Sequence, residues 1–267
     1  MKLNIQNPAF LQMAGRSGKG ISFFYVTSHV DENDITFANT KLGAFADNVE
    51  YSTDNAKTWN QLTADTVITL GEAETVYFRN YTKEVYSAAM GINILKTSDL
   101  YSIGGNITAL FYPGRDLPAY AFKEAFENDT NLISASALTL PATTLAEYCY
   151  SYMFYGCTGL TAAPTLPATT LAEYCYSDMF SGCTGLTAAP TLPATTLAEY
   201  CYSSMFSGCT GLNKIICKAT DISAEGCTDN WVNGVSATGT FEKPAAMNDW
   251  TTGDSGIPNN WTVISPH

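Results

Sequence analysis

Residues 140–165 read LPATTLAEYCYSYMFYGCTGLTAAPT, and the chain repeats this stretch almost unchanged from Leu166 and again from Leu192, a period of 26. Cys149, Cys175 and Cys201 hold one position of the unit, and Cys157, Cys183 and Cys209 another. Met153, Met179 and Met205 match, as do Phe154, Phe180 and Phe206. The pattern fades outward at both ends. Upstream, Phe126 and Leu132 precede Phe154 and Leu160 by 28 positions, so residues from Leu117 read as a diverged unit with two extra residues. Downstream, Cys227 falls one period after Cys201, and Trp231 takes the position of Met205. End units face solvent on one side, so divergence there fits caps.

A 26-residue unit cannot bury its own apolar side, and piling units on one another supplies the missing partner. Leu145, Cys149 and Met153 at i, i+4 and i+8 predict a short helix, capped by Thr143 or Thr144 and ended by Gly156. The following TGLTAAPTLP predicts a short extended segment punctuated by proline. Equivalent residues should then form columns, with Cys149, Cys157, Cys175, Cys183, Cys201, Cys209 and Cys227 as buried thiols, because Cys is small and frequently buried. Columns explain the spacing better than a disulfide framework or a metal site; the array holds no His, and the cysteines of a unit lie eight residues apart.

These residues resemble the BspA-like leucine-rich repeats of Bacteroidetes. The tail, ICKATDISAEGCTDNWVNGVSATGTFEKP followed by WTTGDSGIPNNWTV, is similar to the closing segment of those proteins. The resemblance implies a solenoid exposed at the cell surface and engaged in adhesion to proteins, cells or glycans. Related repeats also occur in phage and mobile-element proteins, which makes a virion or receptor-binding component the alternative function.

Residues 20–111 differ in texture. ISFFYVTS, ITFANT, VEYST, VITL, VYFRN and NITALFY are short β-branched or aromatic runs between polar turns, which predicts an antiparallel sheet or small sandwich. Within them, STDNAKTW at residues 52–59 resembles an Asp-box turn, with Ala56 where Gly is usual, and implies a hairpin with Asp54 bonding local amides and Trp59 packed beneath it. The expected fold is therefore a β-rich α/β chain. An arm (1–19) precedes a β-sandwich-like domain (20–111), a leucine-rich-repeat-like solenoid (112–217) and a C-terminal cap (218–267) with Trp231 as its lid. Pro113, Gly114 and Pro118 mark the passage into the repeats.

Composition narrows the partners. A net charge of -12 argues against nucleic acid and anionic membrane surfaces, since both demand basic groups. No stretch is apolar enough to predict membrane insertion, and the first residues do not read as a signal peptide. Extracellular or surface location then requires a signal already removed. The arm offers a route to homo- or hetero-assembly.

Catalytic chemistry is poorly supplied. His29 and His267 are the only histidines, no nucleophile elbow is present, and SGKG at residues 17–20 lacks the rest of a phosphate loop. Glu147, Glu173 and Glu199 recur once per unit, but as exposed charges rather than the acid and base of a carbohydrate-active enzyme, the least favoured alternative. No cofactor is expected. Between Thr130 and Asn213 only Glu147, Glu173, Asp178 and Glu199 are charged, so the surface must be built from Thr, Ser, Tyr and Ala. Two positions vary among the units: Tyr152 becomes Asp178 then Ser204, and Tyr155 becomes Ser181 then Ser207. Varying positions should face outward. Tyr150, Tyr152, Tyr155, Tyr176, Asp178 and Tyr202 are the candidate binding residues, with Tyr150, Tyr176 and Tyr202 forming an aromatic strip suited to a protein or glycan ligand.

Overall fold

Left-handed residues recur along the turns of every repeat, at Tyr174 and Asp178 in the second and Tyr200 and Ser204 in the third, and at alternate positions in the first. Tyr148, Tyr150 and Tyr152 sit at φ 55, 64 and 56, in the left-handed region, while the residues between them do not. The amides of Cys149, Ser151, Met153 and Tyr155 close tight turns onto the carbonyls three residues back, at 3.1–3.2 Å. Those of Tyr148, Tyr152, Phe154 and Gly156 leave the unit and donate to the carbonyls of Glu173, Ser177, Met179 and Ser181 in the next one, at 2.8–3.0 Å. Every second amide thus stitches units together. An α-helix tolerates neither left-handed residues at alternate positions nor outward-pointing amides.

This overturns the expected α/β leucine-rich-repeat solenoid. The computed structural model describes residues 23–37, 49–63, 65–80, 94–110 and 117–266, and among these the only helical element is a 3-10 turn at Ile107–Leu110. The helix predicted over LAEYCYSYMF is a run of turns, so Thr143 and Thr144 cap nothing. The extended segments of the repeats make single parallel bridges, such as Thr144↔Thr170 and Thr196↔Asp221, instead of a repeat-lined sheet. The fold is β-rich. Spacing of i, i+4 and i+8 misled because the turn ribbon also returns to the core every fourth residue: Leu145, Cys149 and Met153 are all buried.

Three sheets flank and join the repeats. The largest contains β1 (Phe24–Ser28), β3 (Val49–Ser52), β4 (Asn60–Gln61), β6 (Thr75–Asn80), β8 (Tyr101–Asn106) and β9 (Leu132–Thr139), in the order β4-β3-β6-β1-β8-β9. The second contains β2 (Asn33–Phe37), β5 (Val67–Leu70) and β7 (Leu95–Thr97), in the order β5-β2-β7. Period-two burial puts Phe24, Val26, Val76 and Phe78 on one face of the first sheet. Phe37 of β2 meets Phe78 edge-on at 4.8 Å, joining the two sheets through a shared core. The expected arm (1–19), Pro113 and Gly114 lie outside the described residues, as do parts of 20–111.

The passage into the repeats is β9. It pairs in parallel with β8 and bridges onward through Ser134↔Ala162 and Thr139↔Thr165, so the edge of the amino-terminal sheet is the first rung of the stack. Tyr101, fully buried on β8, donates its hydroxyl to Asp129 at 2.6 Å, and Asp129 also accepts the amides of Asn131 and Leu132. The diverged unit sits where its sequence places it. Phe126 N–H reaches Met153 O, 27 positions on, whereas Phe154 N–H reaches Met179 O, 25 positions on, so two extra residues lie in the join.

At residues 52–59 Asp54 accepts the amides of Thr58 and Lys57 and the hydroxyls of Ser52 and Thr58, at 2.7–3.0 Å. These bonds, chiefly from Thr58, hold its carboxyl well below the usual carboxylate range. Trp59 lies between Phe23 (ring centroids 5.2 Å) and the Arg79 guanidinium (3.9 Å), which is in turn paired with Glu50 at 2.7 Å.

At the far end, β10 (Lys214–Ile216), β11 (Thr240–Glu242) and β12 (Thr262–Ile264) form a parallel sheet. Trp231 is buried there. It stacks on Tyr202 at 6.3 Å on one side and Trp250 at 5.4 Å on the other, and Phe241 meets it edge-on. Its Nε1–H donates to Gly256 O at 2.8 Å, satisfying the one polar group a buried indole carries.

Candidate functional site

Each turn ribbon presents one edge to the core and one to solvent. Inward, Cys157, Cys183 and Cys209 donate their thiols to the carbonyls of Phe126, Phe154 and Phe180, one unit back, at 2.9–3.1 Å. These carbonyls already accept the amides of Asp129, Cys157 and Cys183, and the small thiol adds a weak second hydrogen bond to each. Cys149 likewise reaches Pro118 O at 3.2 Å and Cys227 reaches Ile222 O at 3.3 Å. All eight cysteines are free and buried, including Cys217, whose core role the repeat pattern did not mark because it ends the third unit where the earlier units carry Thr165 and Thr191.

Burial pushes these thiols up, Cys175, Cys209 and Cys217 to about 12. Two consequences follow for measurement. An alkylating reagent should leave the folded chain at pH 8 unmodified and label all eight sites after unfolding; rapid labelling of most sites in the folded chain would contradict the columns. Because the folded pKa exceeds the unfolded value near 9.0, the thiols' contribution to stability is complete below pH 9 and is lost as pH rises from 9 towards 12. Denaturation midpoints should fall across that window.

The aromatic strip predicted from Tyr150, Tyr176 and Tyr202 is corrected. All three are buried, at 0%, 1% and 0% exposure, with rings stacked 5.9 and 6.2 Å apart inside the core. They cannot touch a partner. Position 150 and its equivalents face the core, and position 148 and its equivalents lie at the solvent edge. The outer ladder is Tyr120, which is exposed, followed by Tyr148, Tyr174 and Tyr200, which are half-buried; their rings lie 4.8, 4.9 and 4.8 Å apart and within 4–6° of parallel. Tyr200 donates to Glu225 at 3.0 Å.

The varying positions are brought together at the solvent edge. Tyr152 and Tyr155 have ring centroids 5.5 Å apart, and Tyr152 bonds Asp178, which occupies the equivalent position one unit on. Ser177 Oγ donates to the same carboxylate at 2.8 Å. Burial first, and then the Asp178 charge, push the Tyr152 hydroxyl up to about 12; partial burial raises Asp178 against these hydrogen bonds. Lys123, paired with Glu124 at 3.3 Å, lies 5.8 and 5.9 Å from the centroids of Tyr148 and Tyr152. The group mixes aromatic faces, one cation, two carboxylates and several hydroxyls on a rigid frame, a combination suited to recognition.

Lys123 and the Tyr148 ladder were not singled out by sequence reasoning, although Tyr120 standing 28 residues before Tyr148 was a usable signal. Glu147, Glu173 and Glu199 are exposed, as expected, though on turns. Among the described residues no cluster of His, Cys, Asp and Glu could hold a metal ion, and no helix is long and apolar enough to cross a membrane. No family model, curated protein or solved structure matches the chain.

Proposed function

We propose that the chain is a non-catalytic adhesion or recognition protein that engages a protein or glycan through the solvent edge of its repeats. The observation that carries this reading is the gathering of Tyr152, Tyr155 and Asp178, where the full units differ from one another, beside Lys123 of the diverged unit, onto a core that the full units share. Core columns hold the frame, and variation at the edge supplies specificity. Display outside the cell accords with the resemblance of the repeat to BspA-like surface proteins.

The test is capture on a printed glycan array and on purified extracellular-matrix proteins. Replacing Tyr152 and Tyr155 by Ser and Asp178 by Ala together should weaken capture at least about tenfold, the loss expected for a few contact residues of 1–2 kcal/mol each. Far-UV dichroism should stay unchanged. Equal capture by the variant and the parent chain would remove this edge from the function.

A further inference from the structure

We propose that the tyrosine ladder is a site of oxidative cross-linking, in which neighbouring rings couple to dityrosine and covalently staple consecutive units. Successive rings lie 4.8–4.9 Å apart, centroid to centroid, and within 4–6° of parallel, which brings the ortho carbons of neighbouring rungs close together. No other tyrosine pair described combines closeness and parallelism with at least partial exposure. Tyr25–Tyr77 and Tyr152–Tyr155 are 5.8 and 5.5 Å apart and tilted by 52° and 47°. Tyr150, Tyr176 and Tyr202 are parallel but buried, beyond the reach of an external oxidant.

The oxidant is hydrogen peroxide acting through a haem peroxidase. Each of two phenols loses one electron and its hydroxyl proton, giving two phenoxyl radicals on adjacent rungs. The radicals join through their ortho carbons, and the two displaced ring hydrogens move to the oxygens and restore both hydroxyls. Per link, one peroxide is reduced to two waters and the chain loses two hydrogens. Tyr200 already donates its hydroxyl to Glu225, so its proton has an acceptor in place when the electron leaves. Stapling adjacent units removes the freedom of the unfolded chain between them, as a disulfide does.

The full chain, treated with peroxidase and peroxide at a concentration where it is monomeric, should show dityrosine fluorescence and a mass lower by two hydrogens per link. Peptide mapping should place the links at Tyr120–Tyr148, Tyr148–Tyr174 or Tyr174–Tyr200, and the thermal midpoint should rise. Tyr174→Phe keeps the stacked ring but removes the hydroxyl, so it should abolish two of the three links and leave Tyr120–Tyr148. Links confined to other pairs, or only between molecules, would overturn the proposal. So would no dityrosine under conditions that couple free tyrosine, or a link yield unchanged in Tyr174→Phe. The readout is independent of ligand capture, so failure here leaves the proposed binding role untouched.

Discussion

Truncating Phe180 to Ala is expected to destabilise the chain by about 3–5 kcal/mol, the range for a fully buried Phe. Its ring has no exposure and lies between those of Phe154 and Phe206, at 5.5 and 5.8 Å. The cost should fall at the upper end because the cavity cannot collapse. Amides of Phe154 and Phe180 are bonded to the carbonyls of Met179 and Met205, and those bonds fix the unit spacing on both sides of the void. Lost transfer energy and lost dispersion contacts therefore add with little relief. Urea unfolding monitored by dichroism gives the number. A loss below about 1 kcal/mol, typical of a surface change, would mean that the phenylalanine column is not a packed core.

A second large effect comes from adding a single methyl group. A Cβ built on Gly159 would stand 2.5 Å from Thr130 O, on Gly211 2.7 Å from Thr184 O, and on Gly185 3.0 Å from Leu160 O and Thr158 O. The obstacle is backbone, so the units themselves must move apart. Gly159→Ala should cost about 2–3 kcal/mol, the upper part of the usual range for overpacking, Gly211→Ala less and Gly185→Ala least. The order follows the contact distances and is a stricter check than any one value. Equal, near-zero costs at all three positions would show that the units are not held this closely.

Much of the packing was legible from the period alone. Equivalence of position predicted the cysteine columns, the Phe154–Phe180–Phe206 column, the two-residue offset of the diverged unit and the placement of Trp231 over the last turn. These depend only on which residues recur. Backbone conformation does not, and there the reading failed. A ribbon of tight turns with recurring left-handed residues brings Leu145, Cys149 and Met153 inward as a helix would, so apolar spacing could not separate the two. What differed was the fate of position 150. Tyr150 looks amphipathic, yet the diverged unit carries Phe122 there, 28 residues earlier, stacked at 5.8 Å on the Tyr150 ring. A hydroxyl-free ring at that position marks a core column. Position 148 keeps its tyrosine in the diverged unit as Tyr120, which is 42% exposed, and so marks the outer ladder. The eighth cysteine, Cys217, escaped because no repeat partner identified it.

Repeat proteins in which each unit touches only its neighbours tolerate loss of a whole unit but not of a fraction. The most direct measurement is therefore excision of residues 166–191, which joins Thr165 to Leu192 and restores the repeat junction one unit shorter. The shortened chain should unfold cooperatively, keep its far-UV spectrum per residue, and protect all six of its remaining cysteines from alkylation. Removing residues 166–178 instead puts every later column out of step and should leave the thiols exposed. If the two deletions behave alike, equivalent residues do not lie above one another, and the account fails.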